Sequence, residues 1–153
     1  RASLTLEPLV TEQEYLIGNN KLNMPSQSCS IKNLGGLPLI LLPRPAGSRV
    51  KLDRMAADAG ITFYVSHEVA NVDVVKDFVE RELGYGILPY SSIMPGSDEG
   101  RFQATPVEGL TITRTLVHRA DRTPSLAVVE LSRLVHDEIR KMVRLGRFGI
   151  AST

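Results

Sequence analysis

The sequence predicts an α/β fold built on a mostly parallel sheet. Three observations carry this prediction: short apolar runs alternate with amphipathic segments, glycines stand where helices should stop, and the connections are short. Strands are predicted at residues 39–42, at 61–66 and after Gly84, and helices at 49–59 and 71–83. This strand–helix–strand–helix–strand order is typical of a sheet with helices packed on its faces.

The first half of the chain supplies the early elements of that order. A short strand is predicted at residues 15–17, a polar loop at 19–33 and a turn at 43–48. The apolar run at 39–42 is bounded by prolines, which favours a strand covered on both faces. In the helix at 49–59 the inward residues are predicted to be Val50, Met55, Ala56 and Ala59, and Gly60 is its stop signal.

The helix that begins after Asn71 has the clearest pattern in the chain. Its apolar residues fall on one stripe: Val74, Val75, Phe78, Val79 and Leu83. Asn71 can cap the first backbone N–H groups, and Asp73 suits the positive end of the helix dipole. Gly84 is predicted to be the left-handed residue that follows the helix. Whether this N-terminus only supports the fold or faces a ligand stays open at this point.

The second half of the chain is predicted to be simpler. A loop at 96–100 precedes a strand at 110–118, and a long helix runs from about Pro124 to Val143. The stripe predicted to be buried on that helix is Val128, Leu131, Val135, Ile139 and Met142. The tail at 145–153 contains two glycines and is predicted to be flexible.

Composition limits the kinds of partner. A net charge of +1 creates no field that would attract nucleic acid or an anionic membrane, and no apolar run approaches the length of a membrane span. The lone Cys29 fits a reducing cytosol, and no charged-then-apolar leader is present, so a cytoplasmic location is expected.

The sequence offers no catalytic or metal-binding pattern. His67, His118 and His136 lack metal-ligand spacing, and His67-Glu68 has no second histidine four residues on. Gly84-Tyr85-Gly86 stands after a helix and before a strand, the reverse of the order in a dinucleotide fingerprint. We therefore expect no enzyme, no cofactor and no metal. The backbone N–H groups at residues 72–74 remain a candidate anion site, although most such helix ends bind only water or their own cap.

Taken together, several segments resemble the C-terminal half of a LysR-type transcriptional regulator. They are residues 7–12 (EPLVTE) with 15–17, 37–40 (LPLI), 49–53, 68–71, 83–89 (LGYGILP), 100–107 (GRFQATPV) and the helix from Pro124. No single motif is specific, but their order and spacing across the chain are. The turn at 43–49 and residues 113–116 are most similar to the nitrogen-assimilation-control branch of that family.

The resemblance implies an effector domain like a type 2 periplasmic binding protein, in which two α/β subdomains are joined by crossing strands around a ligand cleft. On that mapping, residues 34–92 are the complete second subdomain. Residues 1–33 are a remnant of the first subdomain with the first crossover, and 93–144 are the second crossover with the rest of the first subdomain. The opening strands of the first subdomain, the linker helix and the winged helix-turn-helix are expected to be absent from these residues.

The resemblance also implies a site and a function. Asn71 and Val72 would line the cleft, Ile87 and Leu88 would lie near the second crossover, and Arg44 and Ser48 would lie at the cleft rim. Arg44 and Arg49 would pair with an anionic effector, or else form ordinary surface ion pairs. The helix at 49–59 and the strand at 61–66 resemble a dimerisation surface, although their apolar residues fit a core equally well.

The implied function is effector sensing in a bacterial regulator, with a small molecule shifting the closure of the cleft and the geometry of a DNA-bound homo-oligomer, a dimer or tetramer. DNA would be bound only through a domain absent from this chain, and no membrane is involved. The alternative is a solute-binding protein or receptor of the same architecture, and an α/β enzyme is a third possibility that the lack of catalytic motifs disfavours.

Overall fold

The fold is a six-stranded mixed sheet with helices on both faces. The structure, a computed structural model, describes residues 3–25, 27–93, 100–149 and 151–152. The strands are β1 (Leu4–Gly18), β2 (Pro38–Leu41), β3 (Tyr64–Glu68), β4 (Tyr85–Pro89), β5 (Gln103–Arg119) and β6 (Ala151–Ser152). The helices are α1 (Gly47–Asp58), α2 (Val72–Glu80), α3 (Tyr90–Ile93) and α4 (Leu126–Arg144), and a 3₁₀ turn spans Ile31–Leu34.

The predicted α/β class is confirmed, and parallel pairing is confined to one part of the sheet. The strand order is β3-β2-β4-β1-β5, with β6 added beside β1. Strand β2 runs parallel to β3 and β4, whereas β1 is antiparallel to β4 and β5. The helices α1 and α2 connect the parallel strands, as such crossovers require.

The two antiparallel strands are much longer than the sequence predicts. Strand β1 has 15 residues and β5 has 17, against predictions of residues 15–17 and 110–118. They pair from Leu4 opposite Arg119 to Gly18 opposite Gln103, with register shifts between Pro8 and Val10 and between Gln13 and Tyr15. Irregularities of this kind interrupt the alternation of side chains, so the sequence pattern reveals only fragments of each strand.

Two hydrophobic clusters cover opposite faces of the parallel strands. The cluster under α1 contains Leu16, Leu39, Leu41, Leu52 and Ile87, among others. The cluster under α2 contains Ile17, Ile40, Val75, Val79, Leu88 and Ile93. Because neighbouring strand residues alternate between these clusters, β2 and β4 are buried on both faces.

The first helix is rotated relative to the prediction. It starts at Gly47 rather than Arg49, and its buried residues are Arg49, Leu52 and Ala56, spaced at helical intervals. Val50, which was predicted to point inward, is 51% exposed. Gly60 ends the helix as predicted, with φ +68 and with the Ile61 N–H bonded to the Ala56 carbonyl. This turn takes up residues 60–61 after the helix, so β3 begins at Tyr64 instead of Ile61.

The second helix is capped as predicted but ends earlier. Its last residue is Glu80, and the left-handed residue beyond it is Glu82, with φ 63, rather than Gly84. The Leu83 N–H bonds to the Phe78 carbonyl and the Glu82 N–H to the Val79 carbonyl, the two bonds of a Schellman motif. Gly84 has another role, since a Cβ there would lie 2.3 Å from the Pro38 carbonyl oxygen.

The buried stripe predicted on α4 is wrong. None of the residues of α4 is buried, and Leu131, at the centre of the stripe, is 61% exposed. The helix contacts β1 through Ser132 and His136, which both reach Glu7, and no described element buries the rest of its apolar face. None of the described helices is long and apolar enough to cross a membrane.

The segment after α4, predicted to be a flexible tail, makes defined contacts where it is described. Phe148 is only 4% exposed, and β6 pairs with Thr11 and Glu12 of β1. Gly149 has φ +62 and lies so close to Tyr90 that a Cβ would come within 2.7 Å of its ring. The loop predicted at 96–100 lies almost entirely outside the described residues.

Candidate functional site

The carboxyl ends of the parallel strands gather several functional side chains at one edge of the sheet. Residues 42–46 follow β2, 69–71 follow β3, and α3 follows β4 directly. Glu14 of β1 lies at the same edge because it pairs with Pro89, the last residue of β4. In open α/β sheets this edge, where helices begin, is where ligands bind.

Asn71 uses its side-chain oxygen to cap α2. Its Oδ1 accepts hydrogen bonds from the backbone nitrogens of Asp73 at 2.8 Å and Val74 at 3.3 Å. The positive end of α2 is therefore already occupied by its own cap. The Nδ2 group of Asn71 donates no hydrogen bond within the part of the chain that the structure describes, and the residue is exposed. Val72 is half-buried against the cluster under α2.

The two arginines of the rim differ in their environment. Arg49 is 5% exposed and donates to the Leu42 carbonyl, to Asp53 at 3.0 Å and to Glu68 at 2.6 Å. Arg44 is exposed and reaches the same Asp53 at 2.6 Å. Burial acts to raise the pKa of Asp53, but the hydrogen bonds from Arg49 and Arg44 outweigh it and lower that pKa. Arg49 is therefore a structural residue that fixes the loop before α1.

Ile87 and Leu88 lie within the core rather than on an open surface. Leu88 is fully buried under α2. Ile87 is on the opposite face, where it borders a cavity of about 10 Å³ together with Ser48, Arg49 and Leu52. That volume has room for about one water molecule. The structure thus brings Ile87 and Ser48 together on the α1 side, and Asn71, Val72 and Leu88 on the α2 side.

Two buried carboxylates, which sequence reasoning missed, stand next to these residues. Glu12 accepts hydrogen bonds from the Ser91 backbone nitrogen and hydroxyl, both at 3.0 Å, and from Arg114 Nε at 2.9 Å. Glu14 is equally buried, yet neither of its carboxyl oxygens has a hydrogen-bond partner among the residues that the structure describes. A signal was available: Val10, Glu12, Glu14 and Leu16 alternate along β1, which puts both carboxylates on the same face as buried apolar residues.

Burial raises the pKa of Glu14 to about 7. The charge of Glu12 raises it further, whereas Lys51, Ser48 and Arg114 lower it. Lys51 donates to the carbonyl and the hydroxyl of Thr111, at 2.9 and 2.8 Å. Glu14 therefore holds its proton to a higher pH than an exposed glutamate does.

The described residues offer no metal centre. They contain no group of three or more His, Cys, Asp or Glu placed to hold a metal ion. His118 and His136, distant in sequence, both approach Glu7, at 3.6 and 3.9 Å. His67 packs edge-on against Phe78, with ring centroids 5.2 Å apart.

These features define a class of protein. A parallel three-stranded unit with one helix on each face, joined by two long antiparallel strands to a further helix, corresponds to one lobe and the hinge of a two-lobed ligand-binding domain. Residues 1–140 match the family described as the LysR substrate binding domain, and the chain belongs to that family.

A curated relative and several solved structures agree with this assignment. The chain is 26% identical over 151 residues to the HTH-type transcriptional regulator BbuR of Bordetella bronchiseptica, and the match covers 95% of this chain and 46% of that protein. It therefore spans about half the length of that relative.

The solved structures are more distant in sequence and similar in fold. The CcmR regulatory domain of Synechocystis in complex with 2-PG has a TM-score of 0.79 at 12% identity, with 93% of this chain and 70% of that chain covered. The QuiR effector binding domain in complex with shikimate has a TM-score of 0.73 at 15% identity, with 90% and 66% covered. The C-terminal domain of a probable LysR family regulator from Rhodococcus has a TM-score of 0.71 at 19% identity, with 86% and 67% covered.

Proposed function

We propose that this chain is part of the effector-sensing domain of a bacterial LysR-type transcription regulator. A small molecule binds in the cleft between two lobes, and its binding alters the geometry of a DNA-bound homo-oligomer in the cytoplasm. Binding of DNA belongs to a separate domain. The family match and the curated relative, a transcriptional regulator, support this reading.

The observation that carries the proposal is the arrangement at the carboxyl edge of β2, β3 and β4. Two helices begin there, and the long hinge strands β1 and β5 pass beside them. Movement of a ligand-bound lobe is therefore transmitted directly to β1 and β5. Two of the related solved domains are complexes with small molecules, 2-PG and shikimate.

Within this lobe, the proposed contacts are made by Ser48 at α1, Asn71 and Val72 at α2, and Arg44 at the rim. Ile87 and Leu88 are buried beneath those residues and support them from the core. Assignment to the nitrogen-assimilation-control branch remains a prediction. A solute-binding receptor of the same architecture is the alternative, but the curated relative is a transcriptional regulator, so sensing is preferred.

The experiment uses the full-length protein and a library of small metabolites. Compounds that raise its melting temperature are then tested for a change in operator binding or bending. Asn71→Ser retains a capping oxygen but removes the free amide donor, so affinity should fall by roughly tenfold, or about 1.4 kcal/mol. Asn20→Ser, a substitution of another exposed asparagine, is the matched control and should bind as the wild type does.

If no compound in the library changes both stability and operator binding, the sensing function is wrong. If compounds bind but Asn71→Ser and Asn20→Ser behave alike, the sensing function stands and the assignment of Asn71 is rejected.

A further inference from the structure

Glu14 is a buried carboxyl group that receives no hydrogen bond from the described residues. Both of its oxygens are inaccessible to solvent and lack a hydrogen-bond partner among the described residues. A buried polar group without a partner is unfavourable, and a leucine at this position would continue the apolar face that Val10 and Leu16 form. The carboxylate therefore needs an explanation beyond folding.

The charged neighbours of Glu14 are already committed to other partners. Arg114 pairs with Glu12 at 2.8 Å, and it also donates to the Ser91 hydroxyl. Lys51 donates to two oxygen atoms of Thr111. Glu14 is thus an acceptor that remains open to a donor from outside the chain.

The first turn of α1 lies next to this acceptor and is itself uncapped. Its N-cap residue is Ala46, which has no side-chain oxygen, and the first turn contains no acidic residue. By contrast, Asn71 caps α2 and Ser125 caps α4. A helix of 12 residues with an open N-terminus attracts a carboxylate.

These two features are complementary to one small ligand. Glu14 lies on the face of β1 that carries Leu16, and Leu16 packs in one cluster with Leu52 of α1, so Glu14 faces α1 from the edge of the sheet where that helix begins. Ser48, the second residue of α1, is close enough to lower the pKa of Glu14, so the acceptor and the open N–H groups are neighbours. We propose that the effector is an α-amino-acid-type zwitterion, whose ammonium group pairs with Glu14 and whose carboxylate lies at the first turn of α1. This proposal rests on the sensing function proposed above and specifies its ligand class.

The proposal also gives a route from binding to signalling. The carboxyl of Glu14 is covered in this structure, and the cavity beside Ser48 holds about one water molecule. An ammonium group reaches Glu14 only when the first turn of α1 moves away from β1. Ligand binding and a shift of α1 against the hinge strand are therefore one event.

The test uses the full-length protein with a panel of L-amino acids, each paired with the carboxylate that lacks the amine, such as glutamate with glutarate and alanine with propionate. At least one amino acid is expected to raise the melting temperature and to bind at least roughly tenfold more tightly than its deaminated partner. Equal binding of the two members of each pair would overturn the proposal.

The matched variants are Glu14→Gln and Glu138→Gln. Glutamine keeps the size of Glu14 but removes the negative charge, so affinity for the amino acid should fall at least roughly tenfold, whereas the deaminated partner should be unaffected. Glu138 is on the exposed side of α4, and its replacement should change neither value. Unchanged selectivity in Glu14→Gln would reject the assignment.

Calorimetry on the wild-type protein provides a readout that does not depend on a variant's folding. Burial raises the pKa of Glu14, and pairing with an ammonium group requires its charged form, so binding near pH 7 should release protons, detected as a dependence of the binding enthalpy on the ionisation enthalpy of the buffer. Binding without proton release would contradict the pairing.

The panel of amino acids also distinguishes the zwitterion proposal from the sensing function on which it rests. If other metabolites bind and change operator affinity but no amino acid does, the zwitterion proposal fails and the sensing function stands. If no small molecule binds at all, both fail.

Discussion

The helices α2 and α4 have similar amphipathic patterns but very different surroundings. In α2, which has nine residues, Val75 and Val79 are almost completely buried against the sheet. In α4, which has 19 residues, nothing is buried, and Val128, Leu131 and Leu134 are all about half exposed or more. An apolar stripe shows which face of a helix needs a partner, but it does not show whether that partner is present in the chain.

The difference divides the molecule into the finished lobe, whose helices bury their apolar faces against the sheet, and the α4 region, whose apolar face the described residues leave exposed. The strands β2, β3 and β4 with α1 and α2 form a lobe with two closed clusters. The α4 region instead leaves a groove beside β5 and β1, lined by Leu116, Val117, Val128 and Val135. About a third of each related solved domain lies outside the part matched by this chain.

The largest expected effect comes from equivalent truncations in the two parts. Leu88→Ala removes a fully buried side chain and should lower the free energy of unfolding by about 3–4 kcal/mol. Leu131→Ala, on the exposed face of α4, should change it by less than about 0.5 kcal/mol in the 153-residue chain. Urea denaturation of both variants measures the difference. Similar losses would mean that Leu131 is packed far better than its 61% exposure implies.

The next effect is the pH dependence that Glu14 gives to the finished lobe. Its pKa is raised from 4.5 to about 7 in the folded state, so the folded protein binds this proton more tightly than the unfolded chain does. Its stabilising contribution is complete below about pH 4.5 and is lost as the pH rises through 7, a total on the order of 3 kcal/mol.

Denaturation curves between these two pH values measure that loss. Glu14→Gln should remove this part of the pH dependence, whereas Glu138→Gln on α4 should retain it. A wild-type pH profile that Glu14→Gln leaves unchanged would rule out a raised pKa at this residue.

Much of the finished lobe could be predicted from sequence because its signals are local. The cap at Asn71, the inward positions Val75 and Val79, and the stop at Gly60 depend on residues within a turn or two of each other. The errors arise from longer-range effects. The pairing along the full length of β1 and β5 joins residues about 100 positions apart. The exposure of α4 depends on which elements pack against it, and its own pattern does not encode that.

The candidate site was predictable only in part, for a related reason. Asn71 and Ser48 stand at helix starts, which the sequence marks, and the structure does place them at the carboxyl edge. Glu14 was missed because a glutamate in a polar-looking stretch such as Glu12-Gln13-Glu14 is ordinary until its alternation with Val10 and Leu16 is recognised as the buried face of β1. Leu88 was assigned to the site from resemblance, yet its side chain belongs to the core.

The two helix caps provide a smaller comparison. Asn71 accepts from two backbone nitrogens, the shorter at 2.8 Å, whereas Ser125 accepts one bond of 3.4 Å. Asn71→Ala should therefore cost about 1 kcal/mol of unfolding free energy, and Ser125→Ala less than about 0.5 kcal/mol. Thermal denaturation of both variants measures the two losses of stability. A larger loss in Ser125→Ala would mean that the cap of α4 is the stronger of the two.

Native-state hydrogen exchange of the 153-residue chain tests the division between the two parts most directly. Amides of β2, β4 and α2 should exchange only through global unfolding, while those of α4 should exchange at least roughly 100-fold faster because local opening exposes little additional apolar surface. Equal protection of α2 and α4 would contradict the account, since it would mean that α4 is already fully packed by the residues of this chain.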